Sequence, residues 1–236
     1  VEVARANQDV IIGIKIRLGR IASGHQGMTP FAYALQVAEA TQLPLMVHID
    51  EPPPSYDEVV AALRPGDVLT HCFRPFPNTP LDGAGKVRAS VIEARARGVI
   101  FDIGHGKGSF SFEVARRMLA EGFAPDCISS DVHALCVDGP AFDQVTTMSK
   151  LLCLGMPLAD VIRASTEAPA RAINRGELGT LSVGKPADVS VLRLLDGPHE
   201  YKDATGAVLR GQKRLTAAGL VRAGRWWHGD IPATIG

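Results

Sequence analysis

The sequence predicts an α/β fold, with a parallel sheet in its larger N-terminal part and a small β-domain at its C-terminal end. Five short apolar runs alternate with amphipathic helical stretches. The ends of these runs recur at the spacing of βαβ units, in which a helix connects two parallel strands. After residue 175 the composition changes to glycine and β-branched residues, as in LGTLSVGKPADVSVL. We therefore predict two domains, 1–175 and 176–236.

The predicted strands are short runs of apolar residues at 11–17, 45–49, 67–71, 99–103 and 127–131. The predicted helices lie between and after these strands, at 29–41, 56–63, 86–97, 111–121, 142–154, 157–165 and 169–174. The first of these helices has two local start signals, Thr29 as a cap and Pro30 in the first turn. Near the end of the chain, GLVRAGRWWHG predicts a last strand.

The composition argues against several classes of protein. Twenty-five basic residues balance twenty-five acidic ones, so we expect no binding to nucleic acid or to an anionic membrane. No apolar run approaches the roughly 18 residues of a membrane-spanning helix. The four cysteines form no CxxC pair, which favours reduced thiols, a cytoplasmic location and no zinc site built from thiols. The expected partner is a small-molecule substrate, and homo-oligomerisation stays open.

Polar side chains close four of the five predicted strands. On the first strand, Lys15 and Arg17 share the face opposite the aliphatic residues, so Lys15 should point into the interior of a barrel. His48, His71 and Asp131 close the second, third and fifth strands. In enzymes that are built on a barrel of parallel strands, the carboxyl ends of the strands line the active site. We therefore predict that these side chains form one site. Imidazoles and a carboxylate suit divalent metals, and a lysine fits beside a cation if its amine has added carbon dioxide to form an anionic carbamate.

The motifs GIKIR, MVHIDEPPP, DVLTHCF, FDIGHGKGSF, ISSDVHA and LGTLSVGKPADVSVL resemble the amidohydrolase superfamily, in particular its bacterial dihydroorotase-like deacetylase group. The resemblance implies a TIM-type (β/α)8 barrel, of which this chain carries strands four to eight, with a small C-terminal β-sandwich domain. It also implies that Lys15 is the carboxylated lysine that bridges two metals. His48 and His71 would be the metal ligands of barrel strands five and six. Asp131 would be the strand-eight carboxylate, which binds metal and acts as the general base.

The resemblance further implies a metal-dependent hydrolase of small molecules. The expected cofactor is Zn²⁺, as one or two ions, with Mn²⁺ or Fe²⁺ as alternatives. In this interpretation the ions share a hydroxide and polarise the substrate carbonyl, while Asp131 takes a proton from the attacking water and returns it to the leaving group. The expected substrates are non-peptide amides or esters, such as N-acetyl or O-acyl compounds of small acids, in preference to nucleobases. Cyclic amides of the dihydroorotate type are a further alternative.

Three further residues are candidates for contacts with the substrate. Arg17 and His133 are expected at the same mouth as the predicted ligands. His105 lies in the glycine-rich segment FDIGHGKGSF, where backbone amides, helped by Lys107, could face an anion. A tight loop that needs positive φ at its glycines explains the same segment equally well.

One feature of the family does not occur in this sequence. The family has a His-x-His pair at the end of barrel strand one, and this chain contains no such pair. We therefore expect barrel strands one to three, half of the first metal site and the N-terminal half of the β-domain to lie outside this chain. The alternative function is then a non-catalytic truncated chain or a partner-dependent half-barrel, whose open sheet edges favour association. A binding module for carbohydrates or small acids has less support, because aromatic residues make up only 6% of the chain.

Overall fold

The computed structural model describes residues 1–227. Residues 228–236, which end the predicted β-domain and its last strand, lie outside the described residues. The helices and strands, in chain order, are α1 (Glu2–Ala6), β1 (Ile14–Leu18), α2 (Arg20–Ser23), α3 (Thr29–Thr41), β2 (Leu45–Ile49), α4 (Tyr56–Ala62), β3 (Val68–Thr70), α5 (Ala89–Ala96), β4 (Ile100–Asp102), α6 (Phe112–Ala120), α7 (Gln144–Cys153), α8 (Leu158–Ser165), α9 (Glu167–Ala172), β5 (Val189–Lys202), β6 (Val208–Arg222) and β7 (Arg225–Trp226).

The first four strands form a parallel sheet in the order β1-β2-β3-β4. The predicted strand 45–49 is confirmed over its whole length, and the three others are confirmed with end shifts of up to three residues. Within residues 1–227 this sheet is open. The structure therefore confirms the parallel α/β architecture, and it does not show the closed barrel.

The fifth predicted strand, 127–131, does not form a regular strand. Cys127 makes a single parallel bridge to Asp102. The chain then follows the end of β4, where the N–H of His105 donates to the carbonyl oxygen of Ser129 at 3.2 Å. At Asp131 the backbone has a φ of 45°, which lies outside the strand region. The prediction of a regular strand is thus wrong, although the segment lies beside β4 where a fifth strand would run.

All seven predicted helices form, with end shifts of up to three residues. Thr29 is the first residue of α3 and not its cap, because the N-cap position is occupied by Met28. The short helices α1 and α2 were not predicted. Among the described residues, no helix has both the length and the hydrophobicity that crossing a bilayer requires.

Two apolar clusters lie on the two faces of the parallel sheet. The main core fills the space between the sheet and its helices, and Val47 and Ile49 of β2 are fully buried in it. Burying one such side chain contributes about 1.5–3 kcal/mol to stability. The smaller cluster, on the other face, contains Val68 and Cys127, with Met46 packed against them. Because side chains alternate along a strand, His48 must share the second face with Met46.

The strands β5 and β6, of 14 and 15 residues, form a long antiparallel hairpin, and β7 pairs with β6. One end of the hairpin packs on the helices, since Tyr201, Leu209 and Leu215 belong to the main core. The N–H of Leu215 donates to Oγ of Ser149 on α7 at 2.9 Å. The hairpin also exposes apolar side chains, among them Val191, Leu194, Leu195, Leu220 and Trp226.

The turn of this hairpin also contacts the first residue of α6. Asp203 is 2% exposed, and its Oδ2 accepts a hydrogen bond from the N–H of Phe112 at 2.7 Å. The predicted β-domain is therefore confirmed as a separate antiparallel sheet, but its described part, up to residue 227, forms a single sheet and not a two-sheet sandwich. The domain boundary near residue 175 stays a prediction.

Candidate functional site

His48 and His71 contact each other at the carboxyl ends of the neighbouring strands β2 and β3. Nε2 of His71 lies 2.7 Å from Nδ1 of His48, and the two rings are perpendicular. Nδ1 of His71 lies 2.6 Å from the carbonyl oxygen of Gly104. Since a carbonyl oxygen can only accept a hydrogen bond, Nδ1 of His71 carries the proton. Its Nε2 therefore presents a lone pair to His48.

The second ring nitrogen of His48 faces a carboxylate. Its Nε2 is buried without a hydrogen-bond partner among the described residues, and it lies 3.5 Å from Oδ2 of Asp50. If Nδ1 of His48 carries the proton, a lone pair on Nε2 faces the carboxylate. If Nε2 carries the proton, two lone pairs meet 2.7 Å apart between His48 and His71. A cation bound by both rings would remove this conflict, because both lone pairs would bind it while Nε2 of His48 donated to Asp50.

The electrostatic surroundings keep both rings neutral. Burial lowers the pKa of His48, and the positive charge of Arg17 lowers it further. Burial also lowers the pKa of His71, with a further contribution from His48, while the charge of Asp131 opposes the shift. Near pH 7 both side chains are thus uncharged imidazoles, the form that binds metal ions.

Lys15 and Arg17 lie on the face of the sheet that also carries His48 (the histidine face), as the alternation of side chains predicts. The residues that alternate with them, Ile14 and Ile16, pack against the main core on the opposite face. Arg17 is the register partner of His48 in the parallel pair of β1 and β2. Both cationic side chains are exposed. The carbamate on Lys15 stays a prediction.

Asp131 is exposed at the end of the irregular segment beside β4. Its carboxylate rests against Gly106, where an added Cβ would lie 2.7 Å from Oδ2 of Asp131. Within residues 1–227, no group of three His, Cys, Asp or Glu side chains is arranged to hold a metal ion. The structure thus brings two of the four predicted ligands into contact, and a site shared by all four stays a prediction.

The predicted substrate contacts have different surroundings. His105 is fully buried, with Nε2 2.8 Å from Nζ of Lys150 and Nδ1 2.9 Å from the carbonyl oxygen of Gly106. Because the ring has no exposed surface and both nitrogens are engaged, its geometry does not support contact with a substrate. His133 is exposed, and its Nδ1 accepts from the N–H of Leu135 at 3.2 Å. Contact between His133 and a substrate stays a prediction.

The glycine-rich segment after β4 is a tight loop. Gly104 and Gly106 have φ values of 45° and 52°, whereas Gly108, for which we expected the same conformation, has no positive φ. Lys150 on α7 is fully buried and packs against this loop. Its Nζ contacts His105 of the loop and also donates to the carbonyl oxygen of Lys202 at 2.7 Å. Burial lowers the pKa of Lys150 to about 7. The sequence did not predict this role, because a helical lysine more often lies on a solvated face.

Two carboxylates near the histidines were also missed. Asp50 follows β2, and its oxygens accept from the N–H groups of Ile21 at 3.0 Å and Ala22 at 2.9 Å. Asp102 is the last residue of β4 and is 3% exposed. Burial raises the pKa of the Asp102 carboxyl, against the hydrogen bonds that Thr70 and then Ser129 donate to it. Each aspartate lies in a motif considered above, but spacing alone cannot distinguish a strand-end aspartate from a turn or capping residue.

Comparison with known proteins gives a consistent set of relatives. The model of the family described as "Amidohydrolase family" matches residues 105–224. A deacetylase from Brucella anthropi is 40% identical over 215 residues, which cover 87% of this chain and 51% of that protein. A deacetylase from Agrobacterium fabrum is 39% identical over 219 residues, which cover 89% of this chain and 51% of that protein. The chain therefore spans about half the length of the curated relatives that it matches.

Two solved structures are similar to nearly the whole chain. The crystal structure of an adenine deaminase superposes with a TM-score of 0.92 at 35% identity, covering 96% of this chain and 62% of that one. The crystal structure of a dihydroorotase superposes with a TM-score of 0.88 at 37% identity, covering 95% of this chain and 62% of that one. No more than about a twentieth of the chain therefore lies outside either region of similarity.

Proposed function

The chain belongs to the amidohydrolase family, and on that premise we propose that it supplies the metal-binding and general-base part of a hydrolase. The hydrolase would cleave non-peptide amide or ester bonds in small molecules. The deacetylase relatives support hydrolysis. The observation that carries the proposal is the contact between His48 and His71, whose ring nitrogens lie 2.7 Å apart in an arrangement that a cation would stabilise.

A divalent ion fits the chemistry of this pair. Neutral imidazoles bind Zn²⁺ well, and they also bind Mn²⁺ and Fe²⁺. The side chains that would hold one or two such ions are Lys15 as a carbamate, His48, His71 and Asp131. A bound divalent ion would lower the pKa of a water molecule and polarise the substrate carbonyl. The carboxylate of Asp50 and the carbonyl oxygen of Gly104 would hold the two imidazoles in the tautomers that metal binding needs.

The remaining steps would fall to the protein's own side chains. Asp131 would take the proton of the attacking water and return it to the leaving nitrogen or oxygen. The exposure of its carboxylate and its electrostatic effect on His71 support that role. Arg17, which is paired with His48 across β1 and β2, would attract a negatively charged group of the substrate. His133, two residues after Asp131, would contact the substrate from the loop that follows Asp131.

The substrate class follows from the relatives and from these charges. The names of the deacetylases favour N-acetyl or O-acyl compounds, and the cation at Arg17 favours acyl compounds of small acids. The similarity to a dihydroorotase at 37% identity supports cyclic amides as a second class. The net charge of zero and the free cysteines support a small-molecule partner and a cytoplasmic location.

The proposal can be tested on the full-length protein. Elemental analysis should find more than half an equivalent of divalent metal, and His48→Gln should reduce this content whereas His25→Gln, which changes an exposed histidine, should not. The protein should turn over at least one member of a panel of N-acetyl amino acids, acyl esters and dihydroorotate. A chelator should abolish this turnover and added Zn²⁺ should restore it. Full activity after removal of all metal would contradict the proposal, and a protein without metal or turnover would favour the non-catalytic alternative.

A further inference from the structure

One buried carboxylate oxygen joins two of the segments that carry predicted ligands. Oδ2 of Asp102 accepts hydrogen bonds from Oγ1 of Thr70 and from Oγ of Ser129, both at 2.7 Å. Thr70 directly precedes His71 on the chain, and Ser129 lies two residues before Asp131. The ends of β3 and of the irregular segment beside β4 are thus held by the same atom.

A second set of hydrogen bonds leads from Asp102 to the ring of His71. The hydroxyl of Ser129 donates to Asp102, and its oxygen accepts from the N–H of Gly104 at 3.2 Å. The carbonyl oxygen of Gly104 then lies 2.6 Å from Nδ1 of His71. A series of three hydrogen bonds therefore connects the Asp102 carboxylate to the imidazole, and it sets both the ring position and the tautomer.

The surroundings of Asp102 differ from those of Asp67, another buried carboxylate of the same sheet. Asp67, at the amino-terminal end of β3, is 1% exposed and pairs with the guanidinium of Arg64 at 2.8 Å. Asp102 has hydroxyl partners, and its Oδ1 is buried with no hydrogen-bond partner in the described part of the chain. A buried carboxylate with such partners is costly. The backbones of β3 and β4 already pair with each other. The Asp102 carboxylate therefore contributes mainly to fixing the positions of the strand ends, and less to the stability of the fold.

We propose that Asp102 is a positioning residue, which holds His71 and Asp131 where a divalent metal needs them through its hydrogen bonds to Thr70 and Ser129. The inference rests on the proposed function, since it concerns the metal affinity of the same site. Residues that orient metal ligands in this way commonly change metal affinity by about 10–100-fold when they are removed.

The test measures Zn²⁺ affinity, by competition with a chromophoric chelator, in the full-length protein. Asp102→Ala should weaken Zn²⁺ binding by about 10–100-fold and alter the visible spectrum of the Co²⁺-loaded protein. Asp102→Asn keeps an oxygen that can accept hydrogen bonds from both hydroxyl groups, so the Zn²⁺ affinity of this variant should stay within about fivefold of the parent. The matched control is Asp67→Ala, which should lower the melting temperature and leave Zn²⁺ affinity and the Co²⁺ spectrum unchanged.

Two milder variants keep the inference testable if Asp102→Ala does not fold. Thr70→Val and Ser129→Ala each remove one of the two hydroxyl donors, and each should weaken Zn²⁺ binding by at least about threefold, a fraction of the effect of removing the whole carboxylate. Unchanged Zn²⁺ affinity in these variants, with a lowered melting temperature, would show a merely structural role and overturn the inference alone. A parent protein that binds no Zn²⁺ would overturn the proposed function and this inference together.

Discussion

Nε2 of His71 lies 2.7 Å from Nδ1 of His48, and each ring has a polar group of the protein on its other side. The carbonyl oxygen of Gly104 fixes His71, and the carboxylate of Asp50 lies beside Nε2 of His48. Groups from other parts of the fold thus lie against both imidazoles, and one of them forms a hydrogen bond with His71. In the proposed metal site, this arrangement would raise the affinity for a cation, because little side-chain freedom remains to be lost.

Gly104→Ala should disturb this arrangement directly. Gly104 has a φ of +45°, and an added Cβ would lie 2.2 Å from Oγ1 of Thr70 and 2.8 Å from Nδ1 of His71. We expect the free energy of unfolding to fall by about 1–3 kcal/mol and Zn²⁺ affinity to weaken, as measured by urea unfolding and chelator competition. The control is Gly108→Ala, since no atom lies within 4 Å of a Cβ at Gly108. Equal effects of the two substitutions would contradict this prediction.

Lys15→Ala should remove metal and activity if Lys15 carries a bridging carbamate. Formate or acetate should partly restore activity, because a small carboxylate can take the place of the lost group. Mass spectra or density maps obtained with bicarbonate should show the added carboxyl on the parent protein. Lys185→Ala, which changes an exposed lysine away from the ends of the parallel strands, should keep both metal and activity. Full metal occupancy beside an unmodified Lys15 ammonium would refute the carbamate.

Asp131→Asn should separate general-base catalysis from substrate binding. Loss of the base should lower kcat by roughly 10²–10⁴-fold, while KM changes little. Steady-state assays with the best substrate of the panel would measure both constants. Asp138→Asn alters another exposed carboxylate of the same loop and should leave kcat within about twofold of the parent, as is usual for surface substitutions. Turnover by Asp131→Asn within about fivefold of the parent, far less than loss of a general base costs, would rule out this role.

The burial of His105 should make stability depend on pH. Burial, and then the charge of Lys150, lowers the pKa of His105 from 6.5 to about 4. Between these values the unfolded chain binds a proton that the folded protein does not, so the free energy of unfolding falls as pH decreases. The expected loss is about 1.4 kcal/mol per pH unit, or about 2 kcal/mol between pH 6.5 and pH 5.

Urea unfolding at several pH values would measure this dependence. His105→Gln should lose less stability than the parent between pH 6.5 and pH 5, by about the 2 kcal/mol that one proton accounts for. His25→Gln, at an exposed position, should follow the parent. Parallel curves for the parent and His105→Gln would show that His105 does not contribute.

Features that depend on local alternation could be predicted from the sequence. Val47 and Ile49 are fully buried in the main core, and His48 lies between them on the other face of β2. The same alternation placed Lys15 and Arg17 on the histidine face. These assignments succeed because a strand has a side-chain period of two residues, which five or six residues suffice to display.

Features that depend on unusual backbone or on distant partners could not be predicted. His71 and Asp131 have φ values of 69° and 45°, so both segments leave the strand conformation at the predicted ligand itself. Asp102 binds a hydroxyl 32 residues away at Thr70, and Lys150 binds a carbonyl 52 residues away. No local pattern encodes such pairs, because they form only when the strands and helices have packed.

The contacts between the hairpin and the helices have a consequence for recombination between related genes. Asp203 supplies a hydrogen-bond acceptor to α6, and Leu215 both enters the main core and bonds to Ser149. If recombination exchanged the C-terminal hairpin between two relatives, only the hairpin residue of each contact would be exchanged, while its partner on the helices would stay behind. The hairpin and the helices beneath it should therefore diverge as a unit, and chimaeras joined between α9 and β5 should be less stable than either parent.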